Sequence, residues 1–499
     1  MGCYKRCHLV DWAKDVSDLH GLKHIAGEGG VLRRLIWAAV TLAALSYFIY
    51  LSTLSLISFF QYNHVTKVDI NYADELDFPA VTICNFNKYR ESAWTEQDLK
   101  NVGTHLGIID EEHNLINPYL YTEEFRQNLA AVNWSEQAID NDYDMTEFTN
   151  RTGHQLDEMI VECTWKGLEC SHEDFHHVFS HLGNCYTFNH VESEDERHST
   201  ISAGVANGLK LTLNIQEEEY TPSNDLDGAA EDAGIKWMLH HPSEPPYVKE
   251  LGFGAGPGHH NFVAVRHEQI TNLPWPYTTC EGDGSLQYYD HYSLQACRIE
   301  CETDLVVEQC GCRLVEQPGT APVCNPAESH ECAHVVLLQA VTGTLETSCD
   351  CRAPCEIEAY PFTSTNVKLR ANFIETIYSN STTHNFTAEY IENNLVLLSI
   401  YFEALSHEVI EQLPEMTVFS LLATLGGNFG LFLGGSVLTI LQLLEYLFDE
   451  TTASCTCNTK TNRVGDSRAK LTASKEKDVE KVEDSISIID IGKNGSTDR

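Results

Sequence analysis

Basic residues are scarce in this sequence, with 32 Lys and Arg against 73 Asp and Glu in 499 residues and a formal net charge of −41. A surface that neutralises phosphates is thereby excluded over most of the chain, and general nucleic-acid binding with it. Cations are the expected partners. An early apolar run of the cleavable-leader type is missing too, because charges and cysteines occupy the first residues, so the expected route to another compartment is a retained membrane anchor. No catalytic constellation stands out, and no enzyme is expected. The 42% hydrophobic content leaves enough apolar material for a sizeable core and excludes wholesale disorder.

Charge is wholly absent from two stretches, Leu35–Phe60 and Met416–Leu444, each longer than the roughly 20 residues a helix needs to cross a bilayer. Two spans put both termini on one side, and Lys5, Arg6, Lys14, Lys23, Arg33 and Arg34 mark that side as cytoplasmic. The expected organisation is a cytoplasmic N-terminus over 1–34, a first transmembrane helix over 35–60 and an extracellular domain over 61–415. A second transmembrane helix follows over 416–448, then a largely disordered cytoplasmic tail over 449–499. Residues 61–416 hold 58 acidic and 17 basic side chains, so the whole excess charge faces outward. Fourteen cysteines lie there as well, an even number suited to disulfides in an oxidising compartment. Cys3, Cys7, Cys455 and Cys457 are expected to be cytoplasmic and reduced, those near the bilayer open to lipidation. Sequons at Asn133, Asn150, Asn380 and Asn385 mark outward-facing glycosylation sites. Within the outer domain, Leu209–Ile215 and Leu395–Phe402 read as strands, and Tyr292–Val307 has helical spacing.

The second uncharged stretch is more than an anchor. Gly426, Gly430 and Gly434 recur every fourth residue, joined by Gly427 and Gly435, leaving one face bare for close approach of a neighbouring helix. Gly434-Gly435-Ser436 is a poor helix sequence, and non-helical backbone at membrane depth suits a pore lined by carbonyls. The plainer reading is a glycine hinge in a packed helix. Glu445, Asp449 and Glu450 at the inner end suit concentrating cations, although a charged flank is equally ordinary.

The stretch Leu431-Phe-Leu-Gly-Gly-Ser-Val-Leu-Thr439 resembles the Gly-x-Ser filter of the epithelial sodium channel/degenerin superfamily. His20-Gly21 and Phe78-Pro-Ala-Val-Thr-Ile-Cys-Asn85 match the superfamily too. Within it the chain is most similar to acid-sensing ion channels, through Phe60–Asp69, Leu251-Gly-Phe-Gly254, Ala296–Thr303 and Phe402-Glu-Ala-Leu405. The resemblance implies an α+β membrane protein of two transmembrane helices and a large disulfide-rich ectodomain of palm, knuckle, finger, β-ball and thumb, assembled as a homotrimer or as a heterotrimer with paralogues. It implies the pairs Cys84–Cys185, Cys163–Cys170, Cys280–Cys355, Cys297–Cys351, Cys301–Cys349, Cys310–Cys332 and Cys312–Cys324, the last five forming a ladder that staples two thumb helices. It places Gly434, Gly435 and Ser436 in the selectivity filter, His20 and Gly21 in a cytoplasmic pore motif, and Ala423 and Thr424 at the gate. Arg298 and Glu302 fall at a chloride site, Leu405 and Ser406 at a desensitisation linker, and Tyr62 and Tyr277 at the wrist.

Acid sensing is expected from carboxylates packed closely enough to resist joint ionisation, and from histidine, which titrates near pH 6.5. The sensing candidates are His64 with Asp69 just outside the first span, Glu219 and Asp227 in the finger and β-ball region, and Glu403 and Glu408 in the palm. A solvated acidic face is the ordinary reading of most such carboxylates. Four positions depart from the acid-sensing pattern: His334 and Leu338 in the thumb, Ser399 in the palm and Thr424 at the outer pore replace acids.

The expected function is a trimeric, amiloride-sensitive, sodium-selective cation channel of the plasma membrane, gated by extracellular protons. Sodium permeates, protons are the agonist, chloride binds, membrane lipid surrounds the spans, and no resident cofactor or metal is expected. A peptide-gated or constitutively open sodium channel is the alternative, and a non-channel surface receptor the different class. An ATP-gated channel would need a basic cluster this chain lacks. Zinc at Cys310-Gly-Cys312 or Cys349-Asp-Cys351 yields to disulfides in an oxidising compartment.

Overall fold

The structure is a computed structural model that describes residues 19–27, 29–135, 138, 142–190, 197–222, 232–282, 284–342, 349–378 and 386–457, with side chains as far as 448. The chain divides into two compact units, Ser52–Thr424 and a second made of Met1–Leu51 with Leu425–Arg499. Asp227, Asn380, Asn385 and the expected tail past Cys457 lie outside the described residues.

Eight strands make the main sheet of the larger unit: β1 (His64–Tyr72), β2 (Ile160–Trp165), β3 (Leu168–Glu169), β4 (Leu209–Asn214), β5 (His259–Thr271), β6 (Glu356–Ala359), β7 (Phe362–Lys368) and β8 (Leu395–Pro414). Their order is β6-β5-β8-β4-β2-β3, with β7 also on β5 and β1 also on β8. The 20-residue β8 explains this layout. Its first half, Leu-Val-Leu-Leu-Ser-Ile, is a nearly continuous apolar run buried between β4 and β5, as a strand covered on both faces should be. Its second half, Ser406–Pro414, pairs antiparallel with β1 from Tyr72 to His64. Between the halves the register against β5 breaks: Val265 faces Phe402 and His267 already faces His407. Glu403–Ser406 is therefore a detour in β8 that β5 does not match.

A second sheet runs in the order Phe253–Ala255, Ile235–His240, Ala80–Asn85, Gly183–Phe188, Phe175–Ser180. Phe78, Val81, Ile83 and Phe188 from its side meet Leu211, Leu213, Val263, Val265, Leu398, Ile400 and Phe402 of the main sheet in one core. Each such side chain, fully buried, contributes about 1.5–3 kcal/mol. A separate helical cluster packs Tyr89, Trp94, Phe125 and Phe148 together.

The disulfide-rich region is built on α3, counting Leu22–Ala26 as α1 and Val31–Phe60 as α2; α3 spans Leu294–Cys310. Ser293 caps its start through the Ala296 N–H at 3.0 Å, and Gly311 at φ 75° ends it in the left-handed region. The seven disulfides of the structure join the same pairs that the resemblance implied. The expected ladder between two helices is corrected in detail. Cys310–Cys332 ties α3 to the π-helical turn Ser329–Ala333 that leads into α4 (His334–Val341), whereas Cys301–Cys349 and Cys297–Cys351 tie α3 to non-helical chain running back to β6.

Of the two uncharged stretches, α2 is one 30-residue helix with no buried residue, long and apolar enough to cross a membrane. The other is α5 (Val418–Leu433) and α6 (Val437–Cys457), bent by 76° at the break between them.

Candidate ion pathway and proton-responsive groups

The break falls on Gly434-Gly435-Ser436, and local sterics require it. Gly434 has φ +67°, a conformation that costs a residue with a Cβ about 1–2 kcal/mol. A Cβ added there would fall within the His20 ring, and one at Gly435 within the Phe429 ring. The His20 N–H donates to the Leu433 carbonyl at 2.8 Å, so the His-Gly segment satisfies an orphan acceptor at the end of α5. Gly21 is itself at φ +89°, with no room for a Cβ beside Thr41. Ser436 opens α6: its Oγ accepts the Thr439 N–H at 3.4 Å, and its N–H donates to Thr439 Oγ1 at 3.1 Å. Added Cβ atoms at Gly426 and Gly427 would meet nothing within 4 Å, which leaves that stretch of α5 bare. Ala423 is exposed and Thr424 half-buried, one turn earlier.

In the larger unit Tyr62, at φ 52°, sets its ring edge-on to Tyr277 at 5.5 Å. His64 and Asp69 are not brought together. Five residues apart on an extended strand they project from opposite faces, and Asp69 instead pairs with Lys67 at 2.5 Å, which holds the Lys67 ammonium above its ordinary range. Glu403 lies in the β8 detour and Glu408 beyond it, opposite Ile70. Glu219 accepts the Ser92 N–H at 3.0 Å and lies near the buried Glu91, whose carboxyl burial pushes up although Thr122 donates to it. Leu405 and Ser406 sit in the detour, the Leu405 carbonyl accepting the Ala73 N–H at 3.0 Å. Glu302 accepts the Tyr247 hydroxyl at 2.9 Å, and burial raises its carboxyl; Arg298 lies one turn earlier on α3. His334 Nδ1 lies 2.8 Å from the Ser329 carbonyl, and Ser399 Oγ 2.9 Å from His260 Nε2. Asn133 and Asn150 are exposed.

A profile of the amiloride-sensitive sodium channel family matches residues 15–446. The chain belongs to that family. Acid-sensing ion channel 2 of Homo sapiens is 38% identical over 442 residues, covering 87% of this chain and 85% of that one. Acid-sensing ion channel 1 of Gallus gallus is 37% identical over 436 residues, 87% and 82% of the two chains. Acid-sensing ion channel 1A of Danio rerio is 36% identical over 452 residues, 89% of each. Among solved structures, a proton-activated chloride channel gives a TM-score of 0.31 at 10% identity over 83% of this chain and 98% of that one. The curated relatives are ion channels, not enzymes.

One group in this sodium channel family member has no counterpart in the sequence reading. Glu358 on β6 stands 3.5 Å from His267 Nε2 on β5 and 3.5 Å from His241 Nε2, just past the Ile235–His240 strand. Both histidines hold the Glu358 carboxyl below its ordinary range, whereas burial, then Glu358, pushes Glu244 up to about 7. No local spacing marks this group, because its members come from three separate segments.

Proposed function

We propose that the chain is one subunit of a trimeric, amiloride-sensitive, sodium-selective cation channel of the plasma membrane, opened by extracellular protons. In this reading α2 and the α5–α6 pair each cross the membrane, both termini are cytoplasmic, and the acidic outer domain faces the exterior. The observation that carries it is the helix break at Gly434-Gly435-Ser436, seated on the His20 backbone. An uncharged helix that merely anchors a domain has no use for free carbonyls at membrane depth, whereas a pore does.

The proposed division of labour follows. Carbonyls and the hydroxyl at Gly434, Gly435 and Ser436 replace part of the hydration shell of a sodium ion and discriminate by size and dehydration. Ala423 and Thr424 close the outer pore, where a small side chain lets neighbouring helices meet. Tyr62 and Tyr277 hold the membrane helices to the outer domain. Leu405 and Ser406, in the β8 detour, form the segment that rearranges on desensitisation. Protons act at His64, Asp69, Glu219, Asp227, Glu403 and Glu408, and chloride binds at Arg298 and Glu302.

The replacement of acids by His334, Leu338, Ser399 and Thr424 favours a second reading, a peptide-gated or standing sodium channel. Whole-cell recording during an extracellular acid step separates the two. Inward current that reverses near the sodium equilibrium potential supports the first reading. A current at neutral pH, unchanged by acid and blocked by amiloride, supports the second.

A further inference from the structure

His267 occupies the first position after the register break, where it faces His407 across the parallel β5–β8 pair. Its ring stacks on Tyr360 at 5.3 Å and lies 6.1 Å from the His407 ring. Both ring nitrogens are buried and make no hydrogen bond among the described residues, yet Nε2 points at a carboxylate 3.5 Å away. That carboxylate, Glu358, offers the same oxygen to His241, which arrives from the second sheet. Side-chain exposure is 17% for each histidine and 37% for Glu358, so water screens these charges only in part. Glu244, whose N–H donates to the His241 carbonyl at 2.9 Å, adds a buried carboxyl that feels the Glu358 charge. Arg197 also faces Glu358 and pairs with Asp77 at 3.7 Å, while Arg266 and Glu268 alternate to the other face of β5.

We propose that His267, His241, Glu358 and Glu244 form a proton-binding site at the joint between the two sheets, which couples external acid to the Glu403–Ser406 detour. This proposal rests on the reading that protons gate the channel. Histidine is the side chain whose ordinary ionisation lies between pH 5 and 8. Protonated His267 and His241 become cations on one shared carboxylate and draw β5, β6 and the second sheet together. A proton on Glu244 removes the repulsion that opposes this closure. His407, on β8, is the ring that faces His267 across the break in register. His267 is the first β5 residue paired after the break, so closure onto Glu358 shifts β5 against β8 at the end of the detour that leads toward α5.

Two measurements test it. In acid-step recordings His267→Gln removes a group that must gain a proton, and shifts half-maximal activation or steady-state desensitisation at least ~0.3 pH unit more acid. Glu244→Gln mimics the protonated carboxyl and shifts the same midpoint in the opposite direction. Superimposable curves for both variants overturn the proposal. The second readout does not require gating: hydrogen exchange of the full-length channel in nanodiscs, corrected for intrinsic rate, at about pH 7.5 and about pH 6. Protection of the 400–411 segment is expected to change with pH in wild type and to stop changing in His267→Gln and Glu358→Gln. If wild type gives no acid current but shows this exchange pattern, the gating reading fails and the proton site stands. A pH response of the segment that is absent in wild type, or intact in both variants, overturns the site.

Discussion

Replacing Glu244 by Gln isolates the cost of burying one carboxylate near another. Burial, then the Glu358 charge, pushes the Glu244 carboxyl from its ordinary 4.5 up to about 7. Between those values the folded chain holds a proton that the unfolded chain has released. Stability from this group is therefore full below pH 4.5, falls as pH rises toward 7, and stays reduced above it. At about 1.4 kcal/mol per pH unit, the loss reaches about 3 kcal/mol. Unfolding entropy of about 2.1 cal/mol/K per residue, taken over Ser52–Thr424, totals about 0.8 kcal/mol/K, so this loss lowers Tm by about 4 °C. Gln has nearly the same shape and no charge to bury. Glu244→Gln should raise the Tm of the full-length protein in nanodiscs by about 4 °C at pH ~8 and by under about 1 °C at pH ~5. Taking variant minus wild type cancels the titration of every group not coupled to Glu244. A gap equal at both pH values refutes the burial argument. A Tm lowered at the higher pH would mean that Glu244 serves as a needed charge.

Gly434→Ala should cut whole-cell current at least ~tenfold at matched surface expression, because it adds a left-handed strain of about 1–2 kcal/mol to a methyl inside the His20 ring. His20→Ala in the same chain should recover part of that current, and no recovery would show that the contact with His20 is not what the methyl disturbs. Ala423→Phe should give standing current at neutral pH, because a bulky ring at the outer end of α5 prevents close helix approach; resting current equal to wild type counts against the gate. His64→Asn should move acid activation by more than ~0.5 pH unit, with Leu338→Asp moving it less. Acid concentration–response curves decide, and an unmoved His64→Asn curve leaves the sensing to the palm.

What the sequence made legible was whatever depends on one residue type at one place. Gly434, Gly435 and Ser436 could be read as a break because nothing else tolerates that backbone, and the break is there. The run Leu395–Phe402 announced a strand, and β8 begins there; that its first half is covered on both faces came from the pairing with β4 and β5. The disulfide pairing came through the resemblance and not through counting, since fourteen cysteines allow far too many connectivities. The strand parity that separates His64 from Asp69 was present in the spacing, but their position just outside the first uncharged stretch outweighed it. The β8 detour was not legible as a backbone feature: nothing in Phe402-Glu-Ala-Leu-Ser-His407 marks it, and only the pairing with β5 reveals the extra residues. The histidines around Glu358 stayed hidden for the same reason, because long-range register alone brings them to one carboxylate.

That register has a mechanical consequence. Three residues, Gln61–Asn63, separate α2 from β1, and three, Glu415–Thr417, separate β8 from α5. The β1–β8 ladder runs without interruption from His64↔Pro414 to Tyr72↔Ser406, and the Glu415 N–H extends it to the Asn63 carbonyl at 3.0 Å. The two strands that lead to α2 and α5 therefore move as one ribbon, since shearing them would break a whole row of backbone bonds whose unmet donors and acceptors are costly. The ribbon's upper end is Ser406, the last residue of the detour, and His407 is its next rung. His267 thus faces the end of a ribbon whose other end is continuous with both α2 and α5. His64 lies at the opposite end of the same ribbon; if both proposed sites bind protons they bias one element rather than two, and their effects on the midpoint should depart from additivity when His64→Asn and His267→Gln are combined.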